Sequence, residues 1–178
     1  NTDSTLYHAV LNTGYLTDTA AADIIANIVK ENIKIEQIRE IFRVKELHES
    51  FYEDYLRYGT CPGYGLTKGL MEESIRRHPK HIILCDNEPV GCVSYTKLDP
   101  EVYEVACLCV VPEFQGKGIG TSAIKYLKTI LVNWKRLTLV TPINKTENVK
   151  FYTEKCGFQI VSTEMDGNVE LARFIIER

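Results

Sequence analysis

The sequence predicts an α+β fold, a mixed sheet flanked by helices, behind a helix-rich N-terminal part. Two observations carry this. Before about residue 80, apolar residues recur at helical spacing, as at Ala21, Ile24, Ile25, Ile28 and Val29; after it, short β-rich runs alternate with turn signals. The 178 residues suit one substantial core, so a single domain is expected.

The elements follow in order. Asp18 to Lys30 reads as a helix with Thr17 or Asp18 as N-cap. From Ile35 to Tyr58 the apolar residues give a longer, less regular helical pattern that breaks once. Cys61 to Gly65 is a loop, and Leu70 to Arg77 a short helix ended by Pro79. His81 to Cys85 and Pro89 to Leu98 are strands joined by a hairpin-like turn at Asp86-Asn87-Glu88. Tyr103 to Val111 is a third strand, and a helix covers about Ile119 to Val132. Arg136 to Pro142 is a strand, Glu147 to Cys156 a helix closed by Gly157, and Phe158 to Thr163 a strand. A turn at Asp166-Gly167-Asn168 leads into a last strand, Val169 to Ile176.

A net charge of -3 disfavours nucleic acid and anionic membrane as partners, because both demand a basic surface. No apolar run approaches the roughly 20 residues that span a bilayer. The amino-terminal segment also lacks the charged start and apolar core of a signal peptide, so a cytoplasmic location is expected. Cys61, Cys85, Cys92, Cys107, Cys109 and Cys156 contain no Cys-x-x-Cys pair, and several lie in apolar runs. They are expected to be reduced core residues, with no metal or disulfide role. His78 and His81 make a poor metal pair for want of nearby ligands at matching spacing.

The segment Val110-Val111-Pro112-Glu113-Phe114-Gln115-Gly116-Lys117-Gly118-Ile119-Gly120 carries the functional signal. An apolar strand runs through a glycine-rich turn straight into a helix, which makes an anion cradle of bare amides. Three phosphate motifs compete for it. A Walker loop fails because Lys117 precedes rather than follows the second glycine. The dinucleotide fingerprint wants a third glycine three positions after the second, whereas Gly116, Gly118 and Gly120 are evenly spaced. A coenzyme A pyrophosphate loop, Gln or Arg, two residues, Gly, one residue, Gly or Ala, is filled by Gln115, Gly118 and Gly120.

With Val110 and Pro112 upstream, and Asn144, Asn148, Tyr152, Gly157 and Phe158 downstream, residues 81 to 176 resemble the GNAT superfamily of N-acetyltransferases. The resemblance implies a mixed, mostly antiparallel central sheet and one domain over residues 1–178. In it, residues 1–80 form the acceptor side and residues 81–178 the acetyl-CoA-binding core. It implies that pantetheine lies where Tyr103 to Val111 splays from Arg136 to Pro142. Cys109, Val110 and Val111 would offer main-chain contacts, one amide polarising the thioester carbonyl. Gln115, Gly116, Lys117, Gly118, Ile119 and Gly120 would hold the pyrophosphate, and Asn144 and Asn148 would reach the cofactor arm.

The resemblance also supplies catalytic roles. Glu104, a lone carboxylate among Val102, Tyr103, Val105, Ala106 and Cys107, aligns with the glutamate that serves some relatives as general base, and burial is expected to raise its pKa. Glu101 is the nearby alternative, in a turn after Pro100. Tyr152 stands where many relatives place a tyrosine that protonates the departing thiolate. Cys107 and Cys109 share a strand face, but no histidine close in sequence activates either, so a covalent acyl-cysteine route is disfavoured.

The implied function is acetyl transfer from acetyl-CoA to a primary amine of a small molecule or peptide, by direct attack in a ternary complex and without a metal. The alternative is a catalytically silent CoA-binding or interaction module of the same fold. A homodimer is compatible with either, and an aminoacyl-tRNA acceptor is disfavoured by the acidic charge. The family's opening strand has two candidates, Leu6 to Asn12 and Ile33 to Ile38. Phe51, Tyr52, Tyr55, Tyr58 and Tyr64, interleaved with Glu49, Glu53 and Asp54, would suit a cationic amine, although a helix that packs its aromatics into the core with its acids in water is the better account of them.

Overall fold

A computed structural model describes residues 33–37, 54–59 and 67–178. The elements are β1 (Ile33–Gln37), α1 (Lys68–Arg77), β2 (Lys80–Cys85), β3 (Glu88–Asp99), β4 (Val102–Val110), α2 (Ile119–Ile130), β5 (Arg136–Pro142), α3 (Thr146–Lys150), β6 (Gln159–Asp166) and β7 (Val169–Glu177). Residues 54–58 are also helical. The predicted helix at Asp18 to Lys30 and the strand candidate at Leu6 to Asn12 lie outside the described residues.

The strands form one seven-stranded mixed sheet in the order β1-β2-β3-β4-β5-β7-β6. Every pairing is antiparallel except β4 with β5. That pair is joined through α2, because parallel neighbours need a crossover rather than a hairpin. The β2–β3 turn is tight: Asp86 and Asn87 both take positive φ, 52° and 65°, the backbone of a type I′ hairpin turn.

One sequence expectation is corrected. The helical pattern from Ile35 fails over its first residues, because Ile33–Gln37 is a strand paired antiparallel with β2. Ile33 and Ile35 are two apart, so both side chains fall on one face, and both pack against the core. Alternation and the free edge of β2 outweigh the helical spacing there; residues 54–58 keep it.

The core lies between α2 and the sheet. Ile119, Ala123, Ile124 and Leu127 recur at helical spacing on one stripe of α2 and are all buried. Ile83, Val93, Val105, Leu137, Leu139, Ala172 and Phe174 of the sheet complete the cluster. Phe158, expected to open β6, instead sits just before it and is buried. Trp134 closes the far end, its indole Nε1 donating to the Lys128 carbonyl at 3.0 Å.

Candidate active site

β4 and β5 pair through only three positions, Val102↔Arg136, Tyr103↔Leu137 and Glu104↔Thr138. Beyond Glu104 the two strands run on unpaired to Val110 and Pro142. Two parallel strands that diverge in mid-sheet leave a wedge edged by backbone amides and carbonyls with no ladder partner. The wedge begins beside a bulge. Against β3, Ser94 pairs with Cys107 and Tyr95 with Val105, so Ala106 is the extra residue.

Alternation decides which β4 amides face the wedge. Val111 donates its N–H to the Val90 carbonyl at 2.9 Å, so the amides of Val111 and Cys109 point towards β3. Those of Val110 and Leu108 point the other way, into the wedge. Of the three residues expected to offer main chain, Val110 is therefore placed to do so, and Leu108 joins it. The sequence reading missed Leu108, although counting alternate residues back from Val110 would have found it.

Past β4, a single 3₁₀ turn at Pro112–Phe114 lifts the chain, and the Gln115 side-chain Nε2 donates to the Val110 carbonyl at 2.8 Å. Gly116 and Gly118 take φ of 75° and 80°, left-handed backbone that favours glycine, and the space around both is open. Gly118 caps α2, and its carbonyl receives the Ser122 amide at 3.0 Å. The amides just before Ser122 are the orphan donors of a helix start, and they face this open cradle. Lys117 Nζ lies 4.6 Å from the Phe114 ring centre, which holds its charge over the loop. Gly120 serves packing instead, since a Cβ there would lie 3.0 Å from Phe151 Cζ.

Tyr152 occupies a π-turn that continues α3 over Phe151–Lys155, closed by the Cys156 amide to the Phe151 carbonyl at 3.2 Å. Its ring packs edge-on to Phe151 and Phe158 and tilted against Phe174, with centroids 4.9, 5.9 and 5.7 Å away. Burial pushes the phenol far above its ordinary pKa, and the nearby thiols of Cys107, Cys156 and Cys109 push it further. It is therefore a protonated phenol throughout the neutral range.

Glu104 sits where the wedge opens, between Thr96 of β3 and Thr138 of β5, and is half-buried rather than enclosed. Asn148 Nδ2 donates to Thr141 Oγ1 near the end of β5 at 3.1 Å. Asn144 Oδ1 accepts from the Tyr58 hydroxyl at 2.7 Å, and Lys145 pairs with Asp54 in a half-buried bridge. Two members of the aromatic and acidic stretch thus fasten residues 54–58 to the β5–α3 turn. Its other members, Tyr55 apart, lie outside the described residues.

A parallel pair that splays beside a glycine-lined helix start is the arrangement the GNAT resemblance implies. Residues 39–158 match the family described as Acetyltransferase (GNAT) family, and the chain belongs to that family. A GNAT family acetyltransferase from Elizabethkingia anophelis, solved with acetyl-CoA bound, superposes with a TM-score of 0.63 at 20% identity, covering 83% of this chain and 99% of that one. The Vibrio cholerae spermidine N-acetyltransferase in complex with CoA and spermine gives a TM-score of 0.65 at 19% identity, over 83% of this chain and 96% of that one. Both share the fold. The uncharacterized protein YrkN of Bacillus subtilis is 40% identical over 52 residues, which are 29% of this chain and 28% of that relative. Among the described residues, no helix is long and apolar enough to cross a membrane.

Proposed function

We propose that the chain transfers an acetyl group from acetyl-CoA to a primary amine of a small molecule or peptide, both substrates being bound together. The observation that carries the reading is the wedge that opens at Glu104 and ends at the Gly116–Gly120 cradle. Pyrophosphate suits the cradle, which presents unpaired amides, the N-terminal dipole of α2 and the Lys117 ammonium. Pantetheine suits the wedge, where the Leu108 and Val110 main chain can pair with its amides as a strand would.

The acceptor amine attacks the thioester carbonyl, forming the N–C bond as the C–S bond breaks. A β4 amide at the mouth of the wedge stabilises the charge that develops on the carbonyl oxygen. Glu104 takes the proton that the amine must lose, directly or through water. Tyr152 donates its phenolic proton towards the departing thiolate, and solvent restores it. Glu104, half-buried, keeps a path for its proton to bulk water.

Calorimetry with acetyl-CoA, followed by thiol detection across a panel of polyamines, amino acids, arylamines and peptide N-termini, tests the reading. Binding of acetyl-CoA with CoA release on at least one amine is expected. Absence of acetyl-CoA binding overturns it, and binding without turnover on the whole panel assigns the silent module instead.

A further inference from the structure

The wedge does not use a second cluster, which β3 and β4 build together. Cys92 of β3 and Cys109 of β4 are cross-strand partners, and Cys107 lies two residues from Cys109, so register and alternation put all three side chains on one face. Cys92 Sγ is 3.5 Å from Cys109 Sγ and 3.8 Å from Cys107 Sγ, and the three sulfurs lie within 4.8 Å of one another. With metal–sulfur bonds of about 2.3 Å, trigonal ligation spaces sulfurs about 4.0 Å apart and tetrahedral ligation about 3.8 Å. The Cys92–Cys107 separation matches the tetrahedral value, the Cys92–Cys109 separation of 3.5 Å is shorter than either, and the third pair lies within 4.8 Å, so small side-chain adjustments suffice to seat an ion. Cys92 and Cys109 are buried, and Cys107 is partly open.

A second observation stands beside the cluster. Ser94 is fully buried and its Oγ has no hydrogen-bond partner among the described residues. Ser94 lies two residues from Cys92 and directly opposite Cys107, so it shares their face. A thiol is a poor acceptor, whereas a thiolate satisfies a buried hydroxyl well. The same face brings a countercharge. Lys80 pairs with Ser94 across the sheet, so register puts its side chain on that face.

We propose that Cys92, Cys107 and Cys109 form a three-thiolate site for a soft monovalent d10 metal ion, of which Cu(I) is the type. Thiolate ligands select such ions over hard cations. The set supplies no imidazole or carboxylate, which favours an ion content with three sulfurs over Zn²⁺, whose structural sites take four ligands. Binding forms three metal–sulfur bonds and releases the thiol protons to solvent, with no change in oxidation state. The Ser94 hydroxyl then donates to a coordinated sulfur. The site stands independently of the acetyl-CoA reading.

Anaerobic titration of the reduced, metal-free full chain with Cu(I) against a chromophoric Cu(I) chelator tests the proposal, with X-ray absorption counting the sulfurs. One equivalent bound through three sulfurs is expected, unaltered when Cys61, Cys85 and Cys156 are all changed to Ala. Cys92→Ala and Cys107→Ala should each weaken binding at least 100-fold. Failure of the wild type to compete with the chelator, fewer than three sulfurs, or loss of binding in the Cys61/Cys85/Cys156 variant overturns it. Tighter retention of Zn²⁺ than of Cu(I) overturns the choice of ion. Should the single variants unfold by circular dichroism, the sulfur count and the Cys61/Cys85/Cys156 variant decide.

Discussion

The Gln115 side chain reaches back over the turn to hydrogen-bond the Val110 carbonyl at 2.8 Å, tying the glycine loop to the last residue of β4. Val110 is also the residue whose main chain faces the wedge, so one bond couples the two halves of the candidate acetyl-CoA site. Gln115→Leu keeps the bulk and removes the donor. Acetyl-CoA affinity, measured by calorimetry, should fall about tenfold, in line with a single hydrogen bond whose loss also loosens the loop. The melting temperature should change little, because the side chain is exposed.

Tyr152→Phe removes one oxygen from a ring that stays packed on Phe151, Phe158 and Phe174. The turnover rate should drop about 100-fold while KM for acetyl-CoA is unchanged, the signature of a lost general acid. An unaltered rate would make Tyr152 a packing residue. Because burial holds the phenol above its ordinary pKa, the wild-type rate should show no tyrosine-dependent fall up to about pH 10.

Glu104→Gln preserves the size of a side chain set between Thr96 and Thr138 and deletes its charge. We expect kcat/KM for the amine to fall about 100-fold, with partial recovery at alkaline pH, where more of the acceptor is already deprotonated. An unchanged pH profile would remove Glu104 from proton transfer.

Gly91 faces Val110 across β3 and β4, and a Cβ at Gly91 would lie 2.2 Å from the Cys109 carbonyl oxygen. That atom is backbone and cannot swing aside. Gly91→Ala must push the two strands apart beside the wedge, at a cost of about 3 kcal/mol. Chemical denaturation should read this as a lower midpoint, and acetyl-CoA binding should weaken with it.

His81 is buried between the rings of Tyr95 and Tyr126, 5.9 and 5.3 Å away, and its Nδ1 has no hydrogen-bond partner among the described residues. Burial lowers its pKa in the folded protein below the ordinary 6.5. The unfolded chain therefore takes up the proton first, and stability present above pH 6.5 is lost as pH falls towards the lowered folded value. Melting scans between pH 7.5 and 5 should show this decline, and His81→Gln should flatten it even if it lowers stability overall.

Much of this structure is legible in residue patterns. Arg136–Pro142 was expected with the bounds observed, because a β-rich run ends at a proline. The Asp86-Asn87 turn follows from two residues that tolerate positive φ. Gly116 and Gly118 mark the cradle for the same reason. At Ile33–Gln37 a helical and an alternating pattern overlapped, and only the waiting edge of β2 chose between them.

Other features belong to pairs of strands rather than to any segment. The wedge exists because β4 and β5 part after Glu104 and Thr138, and the Ala106 bulge exists because β3 has one residue fewer there. Neither leaves a trace in spacing. The bond from Tyr58 to Asn144 spans 86 positions and appears only once the chain is folded.

The sequence by itself determined the strands after residue 80, the glycine cradle, the chemical types at Glu104 and Tyr152, and hence the family. Tertiary structure decided which amides of β4 have no partner on β5, how deeply Tyr152 is buried, and that Cys92 meets Cys107 and Cys109. The reason is physical: local pattern sets backbone conformation and which face a side chain takes, whereas register and divergence between strands come from long-range pairing and packing.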